Sequence, residues 1–490
     1  MCSVKVSERE ERLNKLKKLR EQGINPYPAK ANRDYTILEV KENFLLLTES
    51  QKEFFVVGRL RSLRRHGNLT FAHLEDGTER IQIAFSKKDI GADSYKILSK
   101  LIDVGDFLEV KGVCFVTHKG ENSIMAKKWR ILTKAVRPLP EKWHGLQDEE
   151  EKLRKRYLDI LFNPSVKEMI KKRARFWQSM RRFLIDKGFL EVETPVLETT
   201  TGGADARPFI THHNALDMDV YLRISMGELW QKRLMIAGFE KTFEIGRQFR
   251  NEGMDAEHLQ DYTQMEFYWA YADYKDGMKL VEEMYKYIAY ETFGTLKFKI
   301  KNFDVNLDKK WEYYDYRKTV LDFTGIDILD TNIEEIESKL KELGIEYDKK
   351  GFNITRAIDN LWKYCRKQIG GPGFLIGVPV EVSPLAKRDD KNPQITQRFH
   401  PIIAGSEVGN GYSELNDPVD QAERFQIQQK LRDEGDEEAQ MYDNEFIEAL
   451  EYGMPPTCGF GTSERLFSFL MNKSARECQI FPLLKPRKQE

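Results

Sequence analysis

Between Phe54 and Leu132 the apolar residues come in short runs, FFVVGRL, LTFAHLEDGTERIQIAF, DFLEVKGVCFV and SIMAKKWRIL, broken by Gly and Asp-Gly turns. Five or so runs of this kind predict short strands that close into a small barrel. Upstream, Leu13, Leu16 and Leu19 recur every three residues and the pattern stops at Gly23, which predicts a short helix ended by a glycine. Downstream, RPLPEKWHGLQDEEEKLRKRY carries prolines and then charge, and reads as a linker. From there on, long amphipathic helical patterns alternate with strand patterns. The stretch 314–369, with NIEEIESKLKELG, is mainly helical and polar and reads as an insertion between two halves of the larger domain's core. The expected organisation is a helical segment at 1–45, a barrel at 46–145, a linker at 146–162 and a large α+β domain at 163–490.

Strand parity then separates chemistry from core. In KTFEIGRQFRNE, alternation puts Gln248, Arg250 and Glu252 on one face. After a loop from Gly253 to Gln260, DYTQMEFYWAY returns with Tyr262, Gln264, Glu266, Tyr268 and Ala270 on one side. Met265, Phe267 and Trp269 lie on the other. A solvated hairpin laced with ion pairs has the same alternation, so this stretch alone decides nothing. EVGNGYSELNDP places Asn410, Tyr412, Glu414 and Asn416 on one face, and Gly409 and Gly411 permit a close backbone or ligand approach. PPTCGFGTSERLFSFL is a glycine-punctuated strand that delivers Arg465 at the start of an apolar helix.

Composition narrows the classes. At 490 residues the chain exceeds one core, and two or three domains are expected. Its net charge of −1 supplies no global pull toward nucleic acid, so any RNA contact must come from a local patch. RSLRRHGNLTF is such a patch: Arg61, Arg64, Arg65 and His66 precede Phe71, with Gln82 on the following strand. Basic groups beside an aromatic suit single-stranded nucleic acid, although Phe71 fits a core equally well. Lys15, Lys17, Lys18 and Arg20 read as a solvated helix face. The cysteines, five and scattered, argue against a disulfide framework or a zinc site and for a reducing compartment. No apolar run approaches a membrane span and the first residues lack a secretory pattern, so a cytoplasmic protein is expected.

Taken together, FRNE, GNGYSELNDP and a glycine-rich strand closing on ER before a helix resemble the class II aminoacyl-tRNA synthetases, and most closely the lysyl-tRNA synthetases. Further matching stretches span the chain: GINPYP, RPLPEKWHGLQD, FLEVETPVL, TGGADARPFITHHNALDMDVYLR, VEVSPLAK and ALEYGMPPT. The resemblance implies an OB-type barrel that binds the anticodon through Arg64, Phe71 and Gln82. It also implies a catalytic domain built on an antiparallel sheet flanked by helices. That domain would bind ATP, accompanied by magnesium, and convert L-lysine to lysyl-adenylate and pyrophosphate. The lysyl group then passes to the 3′ end of lysine tRNA.

By position, the resemblance gives Arg250 the α-phosphate, Glu252 the adenine amino group, Tyr262 the adenine ring and His258 the β- and γ-phosphates. Arg465 covers the far face of the adenine and the γ-phosphate, and Glu407 holds metal. Glu266, Tyr268 and Glu414 surround the lysine side-chain amine, with Asn410 and Tyr412 beside them and Glu228 and Gly203 at the α-amino end. FLEVETPVL implies a homodimer interface around Pro195. Four departures mark a divergent branch. His400 stands where the metal pair usually has an acid. HLQDYT replaces an Asn-Pro-Glu-Phe-Thr pattern, the glycine-rich strand is one residue short, and RISMGEL is one residue long. Two alternatives stay open: a lysine-activating enzyme that modifies a protein, and a catalytically inactive RNA-binding paralogue.

Overall fold

A computed structural model describes residues 7–140, 148–204, 206–251, 253, 259–347, 352–436 and 438–487. The chain divides into two compact units, 1–147 and 148–490.

The first unit opens with the helix Glu8–Glu21. Ser7 caps it reciprocally, its hydroxyl accepting from the Glu10 N–H while the Glu10 carboxylate accepts from the Ser7 N–H. Only Leu19 and Arg12 of this helix are buried. The Arg12 guanidinium donates to the Val104 and Ala135 carbonyls, and Lys15 pairs with Asp103. Part of the cationic face expected to be solvated therefore fastens the helix to the barrel. Five strands, Phe54–His66, Leu69–Glu75, Arg80–Ser86, Phe107–Val116 and Asn122–Thr133, close in the order first, second, third, fifth, fourth. Phe54, Val56, Leu74, Ile83, Phe85 and Val110 fill the interior.

The second unit is built on a nine-stranded sheet. Its main path runs Glu312–Asp315, Gly373–Ile376, Arg398–Ile403, Asn410–Ser413, Thr457–Ser463, Asp261–Ala270, Lys241–Phe249, Leu190–Glu191, with Ser406–Glu407 paired to Arg398–Ile403. The interior pairings are antiparallel; the outermost pair at each end is parallel. Parallel neighbours need a long crossover, and helices Tyr316–Thr324, Ile333–Glu342 and Ile354–Arg366 occupy one such crossover. They bring their own core of Val320, Ile336, Leu340, Ile358, Leu361 and Trp362. Helices Pro164–Asp186 and Tyr274–Phe293 cover one face of the sheet, where Phe176, Met180, Val281, Met284, Phe267, Phe399 and Phe460 form the main core. Phe399 and Phe460, on strands either side of Asn410–Ser413, stack over Gly411 at 5.7 Å. That burial commits alternate residues of the same strands to the opposite face, as the period-2 pattern requires. The result is the α+β architecture expected, a barrel unit and a sheet flanked by helices. Among the described residues, no helix is long and apolar enough to cross a membrane.

Candidate active site

The sheet face turned away from the main core carries a cavity of about 350 Å³. Gly203, Glu228, Arg250, Tyr262, Glu266, Tyr268, His400, Glu407, Asn410, Tyr412, Glu414 and Arg465 all line it. Glu252 and His258 lie outside the described residues. The register explains the convergence. Tyr268 sits opposite Gly459, which sits opposite Tyr412; Glu266 sits opposite Gly461, which sits opposite Asn410. A glycine thus separates each pair of functional side chains. A Cβ at Gly459 would lie 2.0 Å from Glu414 Oε1 and 2.8 Å from Tyr268 Cε1, and one at Gly461 would lie 3.0 Å from Glu266 Cγ. The glycine-rich strand is a floor of bare backbone over which its neighbours lean together.

Three carboxylates gather there, all nearly inaccessible to solvent: Glu266 is 5% exposed, Glu228 5% and Glu414 2%. Glu266 accepts from the Met226 N–H (3.1 Å), the Gln264 amide (2.6 Å) and the Tyr268 hydroxyl (3.1 Å). Burial, reinforced by the charge of Glu228, pushes its carboxyl up to about 7. Glu228 begins the helix Glu228–Ile236, at the positive end of its dipole, and accepts from the Tyr412 hydroxyl. Burial pushes Glu414 up to about 8, against the pull of the Lys232 ammonium. That ammonium lies 2.8 Å from Glu228 and 2.6 Å from Glu414. The extra residue in RISMGEL has a structural account. Gly227 takes a left-handed φ of +66° as the helix cap, where a Cβ would strike Thr194, and Met226 is left facing Glu266 with its N–H. Gly203 has φ +86° and lies against Ser225 and Glu228, and its N–H meets the Gln440 side chain.

The other end of the cavity is cationic and aromatic. Arg250 follows its strand directly, its backbone N–H bonded to the Gln260 carbonyl, and its guanidinium is 5.9 Å from the Tyr262 ring centre. Arg465 starts its helix directly after the glycine-rich strand, which keeps unbroken register with Asp261–Ala270 despite being one residue short. Glu464 secures that junction, its carboxylate accepting from Arg173, Gln479 and the Thr263 N–H. Arg398 lines the same wall and donates to Asn410 (2.9 Å) and the Val382 carbonyl (2.6 Å). Asp261, in the middle of the hairpin, is no part of this wall; it pairs with Arg247 at the surface.

His400 and Glu407 meet at 3.5 Å, and Glu407 also accepts from the Trp362 indole. Burial pushes the imidazole down to about 4, so it is neutral at pH 7. Its neighbour Glu407 is held down to about 2 by His400 and Arg366, which outweigh burial. Magnesium takes oxygen ligands in a tight octahedron. One carboxylate already bonded to an indole, facing an imidazole, does not form a two-acid cradle. Among the described residues no group of three or more side chains is placed to hold a metal ion.

On the barrel, Phe71 shares the outer face of its strand with His73, while Thr70, Ala72 and Leu74 point inward. Arg64 is exposed and directly opposite Phe71 across the strand pair. Gln82 is buried and donates to Ser123. Phe71 is half-buried and stands outside the barrel core. Lys232, Arg398 and the Met226 N–H were missed by sequence reasoning. Lys232 sits in the short helical run ELWQKRLMI, where Glu228 is a local partner but nothing local names Glu414.

The chain can now be set beside known proteins. The sequence profile described as tRNA synthetases class II (D, K and N) matches residues 148–485, and the OB-fold nucleic acid binding domain, tRNA anticodon type, matches 54–132. A lysine–tRNA ligase of Thermotoga sp. strain RQ2 is 43% identical over 98% of this chain and 97% of its own length. One from Carboxydothermus hydrogenoformans is 44% identical over 97% of each, and one from Pelotomaculum thermopropionicum is 43% identical over 99% and 97%. With its catalytic sheet, its barrel and this match over nearly its whole length, the chain belongs to the class II tRNA synthetases of the D, K and N group.

Proposed function

We infer that the chain is a lysine–tRNA ligase, which activates L-lysine with ATP to lysyl-adenylate and pyrophosphate and then transfers the lysyl group to the 3′ end of its tRNA. The observation that carries this reading is the floor of the cavity: three buried carboxylates and two buried tyrosines beside an arginine-lined wall. A pocket that strips water from an ammonium must return charge and hydrogen bonds, and Glu266, Tyr268 and Glu414 supply them to the lysine side chain. Glu228 and Gly203 face its α-amino end, with Asn410 and Tyr412 between.

Adenylate formation needs little acid or base chemistry; in-line placement and charge neutralisation supply most of the acceleration. The lysine carboxylate attacks the α-phosphorus, the bond to the bridging oxygen breaks, and pyrophosphate leaves. Arg250 steadies the α-phosphate as charge shifts, Tyr262 and Arg465 enclose the adenine, and Arg465 reaches the γ-phosphate. A guanidinium suits both tasks because its planar fork pairs with phosphate oxygens and also stacks. Glu252 and His258 complete the nucleotide contacts in this reading. A magnesium ion bound with ATP would neutralise phosphate charge; Glu407 is the carboxylate here that would offer it an oxygen, and His400 would stay outside the ligand set.

The anticodon is read on the barrel, Phe71 stacking a base with Arg64 beside it and Gln82 holding the adjoining strand. The exposed apolar side chains of Leu190, Val196, Leu197 and Ile210, at 40–62%, support a twofold homodimer around Pro195. The buried, unpaired thiols of Cys114, Cys365, Cys458 and Cys478 support a reducing, cytoplasmic setting. The deciding experiment is ATP–pyrophosphate exchange with a panel of amino acids, followed by tRNA charging. Lysine-dependent exchange with charging is expected. Exchange without charging points to a protein-modifying enzyme, and no exchange to an inactive paralogue.

A further inference from the structure

Lys232 stands behind the carboxylate floor rather than on the cavity wall. Its side chain is 1% exposed, its ammonium touches Glu228 at 2.8 Å and Glu414 at 2.6 Å, and it lies over the Tyr412 and Phe446 rings at 5.6 and 5.9 Å. This is an odd neighbour for a lysine pocket, because a resident ammonium competes for the same oxygens as the substrate. Attraction alone would be stronger without it.

The charge count gives it a purpose. Glu228, Glu266 and Glu414 against one Lys232 leave a formal charge of −2. L-lysine brings two ammonium groups, while its carboxylate is the group consumed on ATP. Without Lys232 three buried carboxylates would face one another, and like charges in contact raise each other's pKa. The floor would then take up protons at higher pH than it does with Lys232 in place, and meet its substrate more fully discharged. We propose that Lys232 is a positioning residue that favours the fully ionised lysine floor, formally −2 and matched to the two ammonium groups of the substrate, and holds Glu228 and Glu414 to that task. This rests on the lysine reading above.

The groups facing Lys232 come from several elements. Glu228 lies on its own helix, Tyr412 and Glu414 on Asn410–Ser413 and its continuation, and the apolar Phe446 on Asn444–Glu451. Behind Glu228 stand Glu266 and Tyr268, with Arg398 on the far side of Tyr412. Glu266 and Glu414 already titrate close to neutrality, up to about 7 and about 8. Loss of the resident cation therefore moves proton uptake further toward alkaline pH.

The test is the pH profile of kcat/KM for lysine in ATP–pyrophosphate exchange, for the full chain and its Lys232→Met and Lys232→Arg variants. In Lys232→Met the acid limb should move alkaline by about one unit, and KM for lysine should rise about tenfold or more at pH 7. KM for ATP should stay within about twofold, since the charge lost faces only the lysine end. Lys232→Arg keeps the charge, so its limb should stay in place whatever happens to KM. An unmoved limb in Lys232→Met, or KM for ATP rising in step with KM for lysine, overturns the proposal. If Lys232→Met does not fold, Lys232→Arg decides: a limb held in place supports the proposal and a limb displaced by a unit overturns it. Lack of lysine-dependent exchange in the unaltered chain would instead overturn the lysine reading itself.

Discussion

Replacing Glu266 by Gln removes one charge and almost no shape. Oε1 takes two donors, the Met226 N–H and the Gln264 amide, while Oε2 takes one, the Tyr268 hydroxyl. A glutamine satisfies this environment with its carbonyl toward the first two. Its NH2 then faces Tyr268, whose hydroxyl rotates to accept. The fold therefore survives and the charge alone is lost. Two unit charges at about 4 Å interact by about 4 kcal/mol at an effective dielectric near 20. Stripping one partner from a desolvated charge pair costs roughly 2–5 kcal/mol. In lysine-dependent ATP–pyrophosphate exchange this corresponds to a fall in kcat/KM for lysine of roughly thirtyfold to several thousandfold, with KM for ATP within about twofold. The thermal behaviour has a definite sign. The Glu266 carboxyl is raised from 4.5 to about 7 in the fold, so it costs stability progressively as pH rises from about 4.5 to about 7, and that cost is fully present above about 7. At pH 8 the Glu266→Gln apoprotein should melt no lower than the parent, and higher if anything. A kcat/KM for lysine within about twofold of the parent refutes the assignment. So does an equal loss toward ATP, which would signal general damage.

The unaltered enzyme should lose kcat/KM for lysine as pH falls through about 8 and 7, because Glu414 and then Glu266 take up protons that cancel their pull on the ammonium; a flat profile down to pH 6 contradicts this. Gly459→Ala places a methyl 2.0 Å from Glu414 Oε1, and overpacking of about 1–3 kcal/mol should lower both the melting temperature and lysine affinity. Isothermal titration with lysine checks it, and unchanged affinity counts against the glycine floor. Phe71→Ala should raise KM for tRNA in charging by the roughly 1–3 kcal/mol of one stacked base and leave pyrophosphate exchange untouched. An effect on exchange would place Phe71 outside anticodon recognition.

Much of the site was legible because strands have a period of two. Alternation alone put Tyr262, Gln264, Glu266 and Tyr268 together, and Asn410, Tyr412 and Glu414 together, and the structure brings both sets to one cavity. It could not say that a strand far along the chain would lie between them; only the resemblance joined the two. Glu228 and Gly203 had no periodic signal of their own, since one begins a helix and the other sits in a loop. Lys232 was invisible for a plainer reason: its ion partner Glu414 is remote in sequence, and WQKRL reads like any surface helix. Asp261 has no part in the contacts that the resemblance implies, and it pairs with Arg247 at the surface. The barrel strands read easily from their turns, whereas the anchoring work of Lys15 looked like surface charge.

One property of the sheet bears on how the protein comes into being. Thr457–Ser463 lies between Asp261–Ala270 and Asn410–Ser413, yet leaves the ribosome after both. Until it arrives, the nascent chain holds two half-sheets, each with an unpaired edge of the kind that invites misassembly. The carboxylate of Glu414 has no backbone floor to lean over, and Arg465 has no helix to stand on. Substrate competence is thus acquired in one late step, when a single glycine-rich strand zips two halves of the polypeptide into one sheet.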